Sequence, residues 1–536
     1  MALVAFTDPV EADKAVLGGK GASLVRMAQL GLPVPPGFVL GTPVGRAWLA
    51  DGALPAGLDE QIDAALAGLE SELGRRLGDP AAPLLVSVRS GAPVSMPGMM
   101  DTILNVGLSD AIVEALAEHT GDPHFAWSSY ERLLDSYAIT VRELARDDVE
   151  DALFDAVPEG DDAGAKARGA VRVLKGLLAD AGAPFPEDPR RQIGECLEAV
   201  FRSWRSPRAD AYRAHRGIDG DLGTAAVVQS MVFGNRGEGS GSGVAFSRDP
   251  STGAPGVYGD VLFDAQGEDV VAGTADPDDL RALAERLPGV HADLVRILGG
   301  LERSAGDLVE CEFTIEEGRL WILQFRPAQR SGRAAVRFAA DAVDEGLLDA
   351  AAAAARVSDE QLTGARAPRF AAEAPPDTVI ARGLAASPGA GVGAAVFDAA
   401  RAQRRREAGE DVILVRPTTS PADVHGFIAS VAIVTGRGGR TSHAAVVARG
   451  MARPAVCGIG EVVVARDGTS ATVAGVTIRE GDLLAVDGDR GLVATTAPAF
   501  AAPEEDERLA RVERWRAAAE AMAATATTAT AIAVPS

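Results

Sequence analysis

The first 330 residues alternate short apolar runs with amphipathic stretches, and Gly and Pro mark the breaks between them. Gly37–Leu40 and Leu84–Val88 are short and apolar and contain β-branched or aromatic residues, which predicts two buried strands. Residues 109–181 instead repeat apolar positions at helical spacing. This mixture of strands and helices is typical of a domain that combines α and β structure.

Two later apolar runs, Ala225–Phe233 and Val309–Ile315, predict further strands. A third run, Leu320–Gln324, follows closely, and Glu317-Gly318 lies between it and the second run. A Gly-containing turn between two apolar runs is typical of a β-hairpin, so we expect these two strands to pair.

The pattern divides the chain into four parts. Residues 1–330 form the first domain, with a helical insertion at about residues 109–215. Residues 331–378 are first Ala-rich and then Pro-rich, which predicts a helical linker. Residues 379–500 contain many short strands and form a second domain. Residues 501–536 predict a charged helix followed by a disordered Ala/Thr tail from Ala524.

Composition and charge exclude several classes of protein. The 536 residues are 47% hydrophobic and 24% charged, which is typical of a globular protein and not of a disordered or fibrous one. The net charge of −24 disfavours binding to nucleic acid or anionic lipid, and no run reaches the ~18 apolar residues of a membrane helix. The chain lacks a secretory signal pattern and has three well-separated cysteines, so we expect a cytoplasmic protein without nucleic-acid or membrane partners.

A glycine-rich segment, Leu17–Leu24, contains Lys20 and precedes a helical pattern. Glycines let backbone N–H groups approach a phosphate, and the lysine adds positive charge. The spacing is not that of a P-loop, and a plain glycine turn with a solvated lysine remains an alternative. Arg89 ends a buried strand, where a guanidinium is costly unless it meets an anion; pairing with a core carboxylate is the alternative to a ligand.

A second candidate site combines a glycine loop with two carboxylates. Residues Phe233–Ser247 include five glycines, which predicts a loop that covers a nucleotide or, alternatively, a flexible hairpin. Glu310 and Glu312 share one face of a strand, where they repel each other unless a cation lies between them. With Gln324 and Arg326 on the next strand, this pattern suits Mg²⁺; a solvent-facing acidic strand edge is the alternative.

The most informative segment is Thr435–Arg449, in which a strand enters a glycine turn and then a short helix. Thr441 and Ser442 are typical N-cap residues, which places His443 in the first turn of that helix. A neutral imidazole there can attack phosphorus, and the helix N-terminus stabilises the negative product. A histidine that only packs at the helix start is the alternative. Counter-charge is predicted from two nearby arginines, Arg437 and Arg440.

Together these motifs resemble the phosphoenolpyruvate synthase/dikinase family, in its pyruvate, phosphate dikinase branch. The resemblance covers about residues 14–500 and is clearest in Val86–Leu108, Gln229–Pro250, Asp264–Gly273, Glu312–Ile315 and Gly438–Gly450. It implies a multidomain α/β and α+β fold. Residues 1–330 would be an ATP-grasp nucleotide-binding domain, and residues 379–500 a swivelling phosphohistidine domain.

The resemblance also implies roles for single residues in nucleotide, metal or phosphoryl binding. ATP would contact Lys20, Arg89, Gly98, Ser242, Gly243, Glu310, Glu312 and Arg326. Mg²⁺ would be held by Glu310, Glu312 and Gln324. Catalysis would rest on His443, Arg89 and Arg326, and Thr441 would be a site of regulatory phosphorylation.

The reaction that the resemblance implies passes the γ-phosphate of ATP to inorganic phosphate and the β-phosphate to His443, which leaves AMP. The family's C-terminal barrel for pyruvate or phosphoenolpyruvate has no counterpart in the sequence, so we expect a separate chain to bind pyruvate. Transfer to a different small molecule or protein is one alternative, and an inactive ATP-binding regulatory protein is another. Arg440 is a departure, because the family usually has methionine there.

Overall fold

The structure is a computed structural model in which residues 2–94, 96, 100, 102–156, 162–272, 277–419, 423–502 and 506–532 are described. The chain folds into two compact units. The first comprises Met1–Arg236 together with Trp321–Gln324, and the second comprises Gly237–Leu320 together with Phe325–Ser536. Both units combine helices with sheets, which confirms the mixed α/β class that the sequence predicts.

The first unit is built on a five-stranded sheet with the strand order β1-β2-β5-β3-β4. Its strands are β1 (Leu3–Ala5), β2 (Gly37–Leu40), β3 (Val86–Gly91), β4 (Thr102–Val106) and β5 (Ala225–Ser230). The last of these pairs antiparallel with β2 and β3, so it lies at the centre of the sheet and every one of its residues is buried. The strand predicted at Gly37–Leu40 has the bounds of β2.

Helices cover this sheet and share one hydrophobic core with it, to which Phe38, Val86 and Val228 contribute from the strands. The early helices are α1 (Lys14–Gln29), α2 (Thr42–Asp51) and α3 (Leu58–Leu73). The region in which the sequence predicts a helical insertion contains α4 (Asp110–Thr120), α5 (Pro123–Ser136), a π-helical turn (Tyr137–Val141), α6 (Arg146–Ala156), α7 (Ala163–Asp180), α8 (Pro189–Ser203) and α9 (Pro207–Arg216).

The second unit begins with most of a five-stranded sheet of order β10-β9-β6-β7-β8. Its strands are β6 (Gly241–Arg248), β7 (Pro255–Phe263), β8 (Asp278–Asp279), β9 (Val309–Glu316) and β10 (Arg319–Pro327). Its helices are α10 (Gly267–Ala272), α11 (Leu280–Arg286) and α12 (Pro288–Ala305). Glu317 and Gly318 both have positive φ, 50° and 79°, which is the conformation of a type I′ turn at the predicted position.

The Ala-rich stretch after this sheet is helical. It contains α13 (Gly332–Asp344), α14 (Ala350–Ala354) and α15 (Asp359–Ala365). Ser331 caps the first of these helices and Ser358 caps the last with a capping box, so local side chains define where each helix begins.

The histidine-bearing half of the second unit contains an eight-stranded sheet, a three-stranded sheet and three helices. The large sheet consists of β11 (Val379–Arg382), β12 (Leu384–Ser387), β13 (Ala390–Val396), β14 (Val412–Arg416), β15 (Ala432–Thr435), β16 (Ala455–Cys457), β20 (Leu483–Asp487) and β21 (Leu492–Ala494). The small sheet consists of β17 (Val462–Val464), β18 (Ser470–Val473) and β19 (Val476–Arg479). The helices are α16 (Ala399–Glu407), α17 (Val424–Ala429) and α18 (His443–Gly450).

The last helix, α19 (Glu507–Ile532), packs with Leu509 and Val512 against the Ala-rich helices. It continues to Ile532 and so includes residues from Ala524 onward for which the sequence predicts a disordered tail. Ala is the best helix former, and this composition lets a helix that is anchored at its start continue. None of the helices in the described ranges is long and apolar enough to span a membrane.

Candidate functional site

The glycine-rich segment of the first unit is fixed against the end of β3. Helix α1 is interrupted at Gly18 (φ 69°, ψ 167°), where a Cβ atom would come within 1.7 Å of the carbonyl oxygen of Gly91. The Gly19 N–H donates to the carbonyl of Ala92 at 2.8 Å. The first side-chain atom of Lys20 therefore lies beside this strand end: a Cβ built on Gly91 would be 3.5 Å from the Cβ of Lys20. The segment is a tight, glycine-dependent contact that presents a lysine.

Arg89 lies on β3, two residues before that strand end, and is partly buried. Its Nη1 donates to Oε1 of Gln229 at 3.3 Å. Gln229 is only 2% exposed, and its Nε2 donates to the carbonyl of Pro35 at 3.0 Å. The sequence left open a core carboxylate as the partner of this arginine, whereas the contact seen here is to an amide. Gln229 was missed because nothing in its local sequence marks it.

Ser242 and Gly243 do not lie in a loop, so that part of their prediction is wrong. Both are buried residues of β6, which runs between β7 and β9. The Ser242 hydroxyl shares a hydrogen bond with Oγ1 of Thr314 at 3.1 Å. A Cβ on Gly243 would come within 2.5 Å of the Phe313 ring and of the backbone of a neighbouring strand, so this glycine serves close strand packing.

Gly98, a predicted contact of ATP, lies outside the described residues. Its predicted contact with ATP stays a prediction.

Glu310 and Glu312 share one face of β9, as alternation predicts. Glu310 is only 4% exposed, and β9 is an inner strand, so the alternative of a solvent-facing acidic edge does not apply. Arg326 donates from Nη2 to Oε1 of Glu310 at 2.7 Å. The other oxygen, Oε2, is buried and has no hydrogen-bond partner among the described residues. A buried carboxylate oxygen left over in this way suits a cation.

The other predicted metal ligand, Gln324, lies in the stretch of β10 that is grouped with the first unit. Glu310 and Glu312 belong to the second unit, so the structure does not define the three as one set. Within the described ranges, no three His, Cys, Asp or Glu side chains gather as a complete cation cage. The predicted metal-binding role of Glu310, Glu312 and Gln324 therefore stays a prediction.

His443 is the first residue of α18. The Ser442 side chain caps the helix by accepting from the N–H of Ala445 at 3.4 Å, as the sequence predicts. Phe427 packs edge-on against the imidazole, with ring centroids 6.1 Å apart. Burial lowers the pKa of His443 below its ordinary value, and the charge of Asp423 partly offsets this. The imidazole is therefore neutral at pH 7, and its Nδ1 is buried without a partner among the described residues.

Arg449, which is only 2% exposed, holds the loop before His443. Its Nη1 donates to the carbonyls of Arg440 and Ala386, each at 3.0 Å. Its guanidinium also stacks over the Phe246 ring, 5.7 Å from the centroid. Arg449 therefore ties the histidine loop to strand β12.

Two carboxylates also contact this loop. Asp260 on β7 and Asp279 on β8 face each other across an antiparallel pair, and we call them the acid pair. Arg440 bridges them, with Nη1 3.5 Å from Oδ1 of Asp260 and Nη2 2.8 Å from Oδ2 of Asp279. Its guanidinium lies 5.2 Å from the Tyr258 ring centroid. Opposed carboxylates repel each other, so the arginine stabilises this arrangement.

Thr441 also binds Asp260, one member of the acid pair. Its backbone N–H and its hydroxyl both donate to Oδ2 of Asp260, at 2.9 Å and 3.0 Å. The hydroxyl therefore does not cap the helix; that role belongs to Ser442. Burial raises the pKa of Asp260, against the lowering effect of these hydrogen bonds.

The counter-charge predicted from the two arginines needs correction. Arg437 is exposed, and Arg440 is engaged by the acid pair. Sequence reasoning noticed Arg440 as unusual but missed its partners. One local signal existed: Asp260 is a single acid inside the apolar strand Val257–Phe263, where a buried charge needs a partner.

Two protein-family models match parts of the chain. Residues 45–294 match the model for the pyruvate phosphate dikinase AMP/ATP-binding domain. Residues 408–491 match the model for the mobile domain of PEP-utilising enzymes, and this range includes His443.

Several curated proteins are similar over most of the chain. Pyruvate, phosphate dikinase 1 of Oryza sativa subsp. japonica is 45% identical over 509 residues, which is 90% of this chain and 52% of the relative. The enzyme of Rhizobium meliloti (strain 1021) is 41% identical over 530 residues, 95% of this chain and 59% of the relative. The enzyme of Clostridium symbiosum is 43% identical over 490 residues, which is 89% of this chain and 56% of the relative. The chain thus spans little more than half the length of these relatives.

Proposed function

Because the chain carries an AMP/ATP-binding domain of the pyruvate phosphate dikinase type and a mobile domain of the PEP-utilising type, we propose that it is a dikinase-like phosphotransferase that uses ATP to phosphorylate its own His443. The observation that carries this proposal is a capped, neutral imidazole at the start of a helix within the matched mobile domain. A histidine that serves only packing would not need the glycine turn that precedes it.

His443 is the nucleophile in this proposal. A neutral imidazole is required, because a protonated one has no free electron pair, and burial favours the neutral form. Solvent does not reach Nδ1, so the attacking atom is Nε2. The negative charge of the product lies at the N-terminus of α18, which stabilises an anion by about 0.3–1 kcal/mol at an exposed site.

The phosphates of ATP are the proposed ligands of Lys20 and Arg89 in the first unit. Both lie at the end of β3, where the backbone of the glycine segment also approaches. Arg326 is proposed to act from β10 in the second unit, next to Glu310. Positive groups that are already in place when charge develops are the main source of catalysis in phosphoryl transfer.

Glu310 and Glu312 are the residues proposed to hold Mg²⁺, and Gln324 is the predicted third ligand. The unpartnered Oε2 of Glu310 fits this role, since a buried anionic oxygen otherwise lacks compensation. When bound, Mg²⁺ neutralises charge on the phosphate oxygens. Glu310 has a second task, because its other oxygen orients Arg326.

In the proposed reaction, Nε2 of His443 forms a bond to the β-phosphorus of ATP. The bond from that phosphorus to the oxygen shared with the α-phosphate breaks, and AMP leaves with this oxygen. An oxygen of inorganic phosphate forms a bond to the γ-phosphorus, and the bond from that phosphorus to the oxygen shared with the β-phosphate breaks. Pyrophosphate leaves, and the β-phosphoryl group stays on His443. The acceptor from His443 is proposed to be pyruvate, the substrate in the relatives' names.

AMP formation in a single turnover tests the proposal. The chain, at a concentration above that of Mg²⁺-ATP, is incubated with and without inorganic phosphate, and nucleotides are separated by chromatography. We expect wild type to form AMP and His443→Asn to form none, since asparagine keeps the shape but not the nucleophile. AMP from His443→Asn at the wild-type rate, or ADP from both, would contradict the proposal. Bound but unchanged ATP would favour the regulatory alternative.

A further inference from the structure

Arg449 differs from the other buried arginines among the described residues. The other three are each paired with a carboxylate: Arg213 with Asp210, Arg248 with Glu302, and Arg330 with Asp307. Arg449 is at least as buried, but the hydrogen bonds of its guanidinium go to two uncharged backbone carbonyls. A guanidinium keeps its charge in a protein, and a buried charge is costly unless an anion balances it. Arg449 is therefore suited to an anionic ligand.

One edge of the Arg449 guanidinium is still able to donate. Nη1 donates to the carbonyls of Arg440 and Ala386, whereas Nε and Nη2 are buried and have no hydrogen-bond partner among the described residues. A water molecule accepts from such N–H groups but does not balance the charge. An oxyanion does both, and two parallel N–H···O bonds are the usual way in which arginine binds a phosphate.

The surroundings of this guanidinium include the face of the sheet that carries Glu310. The guanidinium of Arg449 lies 5.7 Å from the centroid of the Phe246 ring. Phe246 on β6 pairs directly with Glu310 on β9, so these two side chains share one face. Arg326 contacts Glu310 from β10, the strand on the other side of β9. Burial lowers the pKa of Arg449, and neighbouring acidic groups, Glu310 among them, oppose this effect.

We propose that Arg449 is a phosphate-binding residue that the histidine-bearing half contributes at the face of the sheet that carries Glu310. Its Nε and Nη2 bind the oxygens of one phosphate group, which belongs either to the nucleotide or to inorganic phosphate. Because Arg449 is almost fully buried, the ligand enters before Arg440 and Thr441 engage the acid pair. This inference rests on the proposed function, in which both phosphate compounds are substrates.

The binding of two probes to variants of Arg449 tests this inference. Calorimetry measures the affinity for Mg²⁺ with the non-hydrolysable analogue AMP-PNP, and dialysis measures that for [³²P]phosphate at saturating Mg²⁺-AMP-PNP. Arg449→Gln keeps amide N–H groups for the backbone carbonyls but removes the charge. We expect it to weaken one of the two affinities about 10–100-fold, the size of hydrogen bonds to a charged group. Arg449→Lys keeps the charge without the paired N–H groups, so its loss should be smaller, about tenfold or less.

Arg330 supplies a matched control in the same unit. It is also buried, its guanidinium lies 5.5 Å from the Phe338 ring centroid, and it donates to the carbonyl of Arg356, but it is paired with Asp307. The same two changes at Arg330 should lower the thermal midpoint without weakening either affinity. If Arg449→Gln does not fold, the comparison of Arg449→Lys with wild type decides the test.

The outcomes separate the inference from the proposed function. Wild type that binds neither probe overturns the proposed function and this inference with it. Weaker AMP-PNP binding in the variants supports a nucleotide phosphate as the ligand, and weaker binding of phosphate alone supports inorganic phosphate. Wild type that binds, with both affinities unchanged in the Arg449 variants, overturns the inference alone. Equal losses from Arg449→Gln and Arg449→Lys also overturn it, because the charge then plays no part.

Discussion

Arg89 in the first unit and Arg440 in the second are both partly buried arginines, and the side-chain contacts described for them differ in charge. Arg89 donates to the neutral amide of Gln229. Arg440 is bridged between two carboxylates, Asp260 and Asp279. An amide fixes a guanidinium and adds no charge, whereas a pair of carboxylates neutralises it.

We propose different tasks for the two arginines. The first is proposed to bind a phosphate of ATP, and the second joins the histidine loop to the acid pair. In this proposal, closeness in sequence to His443 is a poor guide to which arginine meets the phosphoryl group. Arg326 is an intermediate case, because its carboxylate partner Glu310 has one oxygen left over.

The largest expected effect comes from removing each arginine in turn. Arg89→Met should lower the rate at which His443 is phosphorylated by about 10²–10³-fold, the range seen when one fixed charge-stabilising group is lost. Arg440→Met should lower it by less than about tenfold, because its charge is already neutralised. The initial rate of phosphohistidine formation at saturating Mg²⁺-ATP measures both. Equal losses from the two variants would show that Arg440 also meets the phosphoryl group.

The acid pair offers the next largest effect. Asp260→Asn should loosen the histidine loop by about 2–3 kcal/mol, since Asp260 accepts from Thr441 and faces Arg440 in a buried setting. Asp279→Asn is the matched control, and its partly exposed contact should be worth about 1 kcal/mol or less. Hydrogen exchange of a peptide covering residues 437–442 measures the loosening. Unchanged protection in Asp260→Asn would argue against a holding role.

The pH dependence of phosphorylation reports on the nucleophile His443 and not on the two arginine contacts, because an arginine guanidinium stays protonated in proteins. Burial lowers the pKa of His443, so the neutral, reactive form persists below the ordinary value of about 6.5. We expect more than half of the maximal rate at pH 6.5 and an acid midpoint below it. A midpoint at or above pH 6.5 would contradict the burial argument.

The same shift has a consequence for stability. An unfolded histidine binds its proton near pH 6.5, whereas the folded His443 binds it only at lower pH. The unfolded state therefore holds more protons in this interval. The contribution of His443 to stability is complete above pH 6.5 and declines as the pH falls through the folded pKa.

The smallest expected effect comes from the hydrogen bond between two uncharged side chains, Ser242 and Thr314. It gives a reference value against which the effects at charged residues can be compared. Ser242→Ala removes the hydrogen bond to Thr314 and should cost about 1 kcal/mol of the unfolding free energy. Its side chain is fully buried and bonded to Thr314, so AMP-PNP affinity should stay unchanged. Denaturant unfolding and calorimetry measure the two quantities. Weakened AMP-PNP binding would show that the Ser242 side chain contributes to the nucleotide site after all.

Features that depend on neighbouring residues could be predicted from the sequence. The Glu317-Gly318 turn, the shared face of Glu310 and Glu312, and the Ser442 cap all arise within a few residues, where periodicity and capping rules apply.

Features that depend on distant residues could not. Gln229 lies 140 positions from Arg89, and Asp260 lies 181 positions from Thr441. Composition also misled at Gly241–Arg248: its glycines suggested a loop, but Gly243 is there because the neighbouring strand leaves no room for a Cβ atom.

The most direct test of the account is the origin and position of the phosphoryl group on the chain. The protein is incubated with Mg²⁺, inorganic phosphate and either [β-³²P]ATP or [γ-³²P]ATP, and the labelled peptide is identified. The account predicts acid-labile, alkali-stable label on His443 from the β-labelled nucleotide and none from the γ-labelled one. Label from the γ-position, or label that persists in His443→Asn, would contradict the proposed dikinase step.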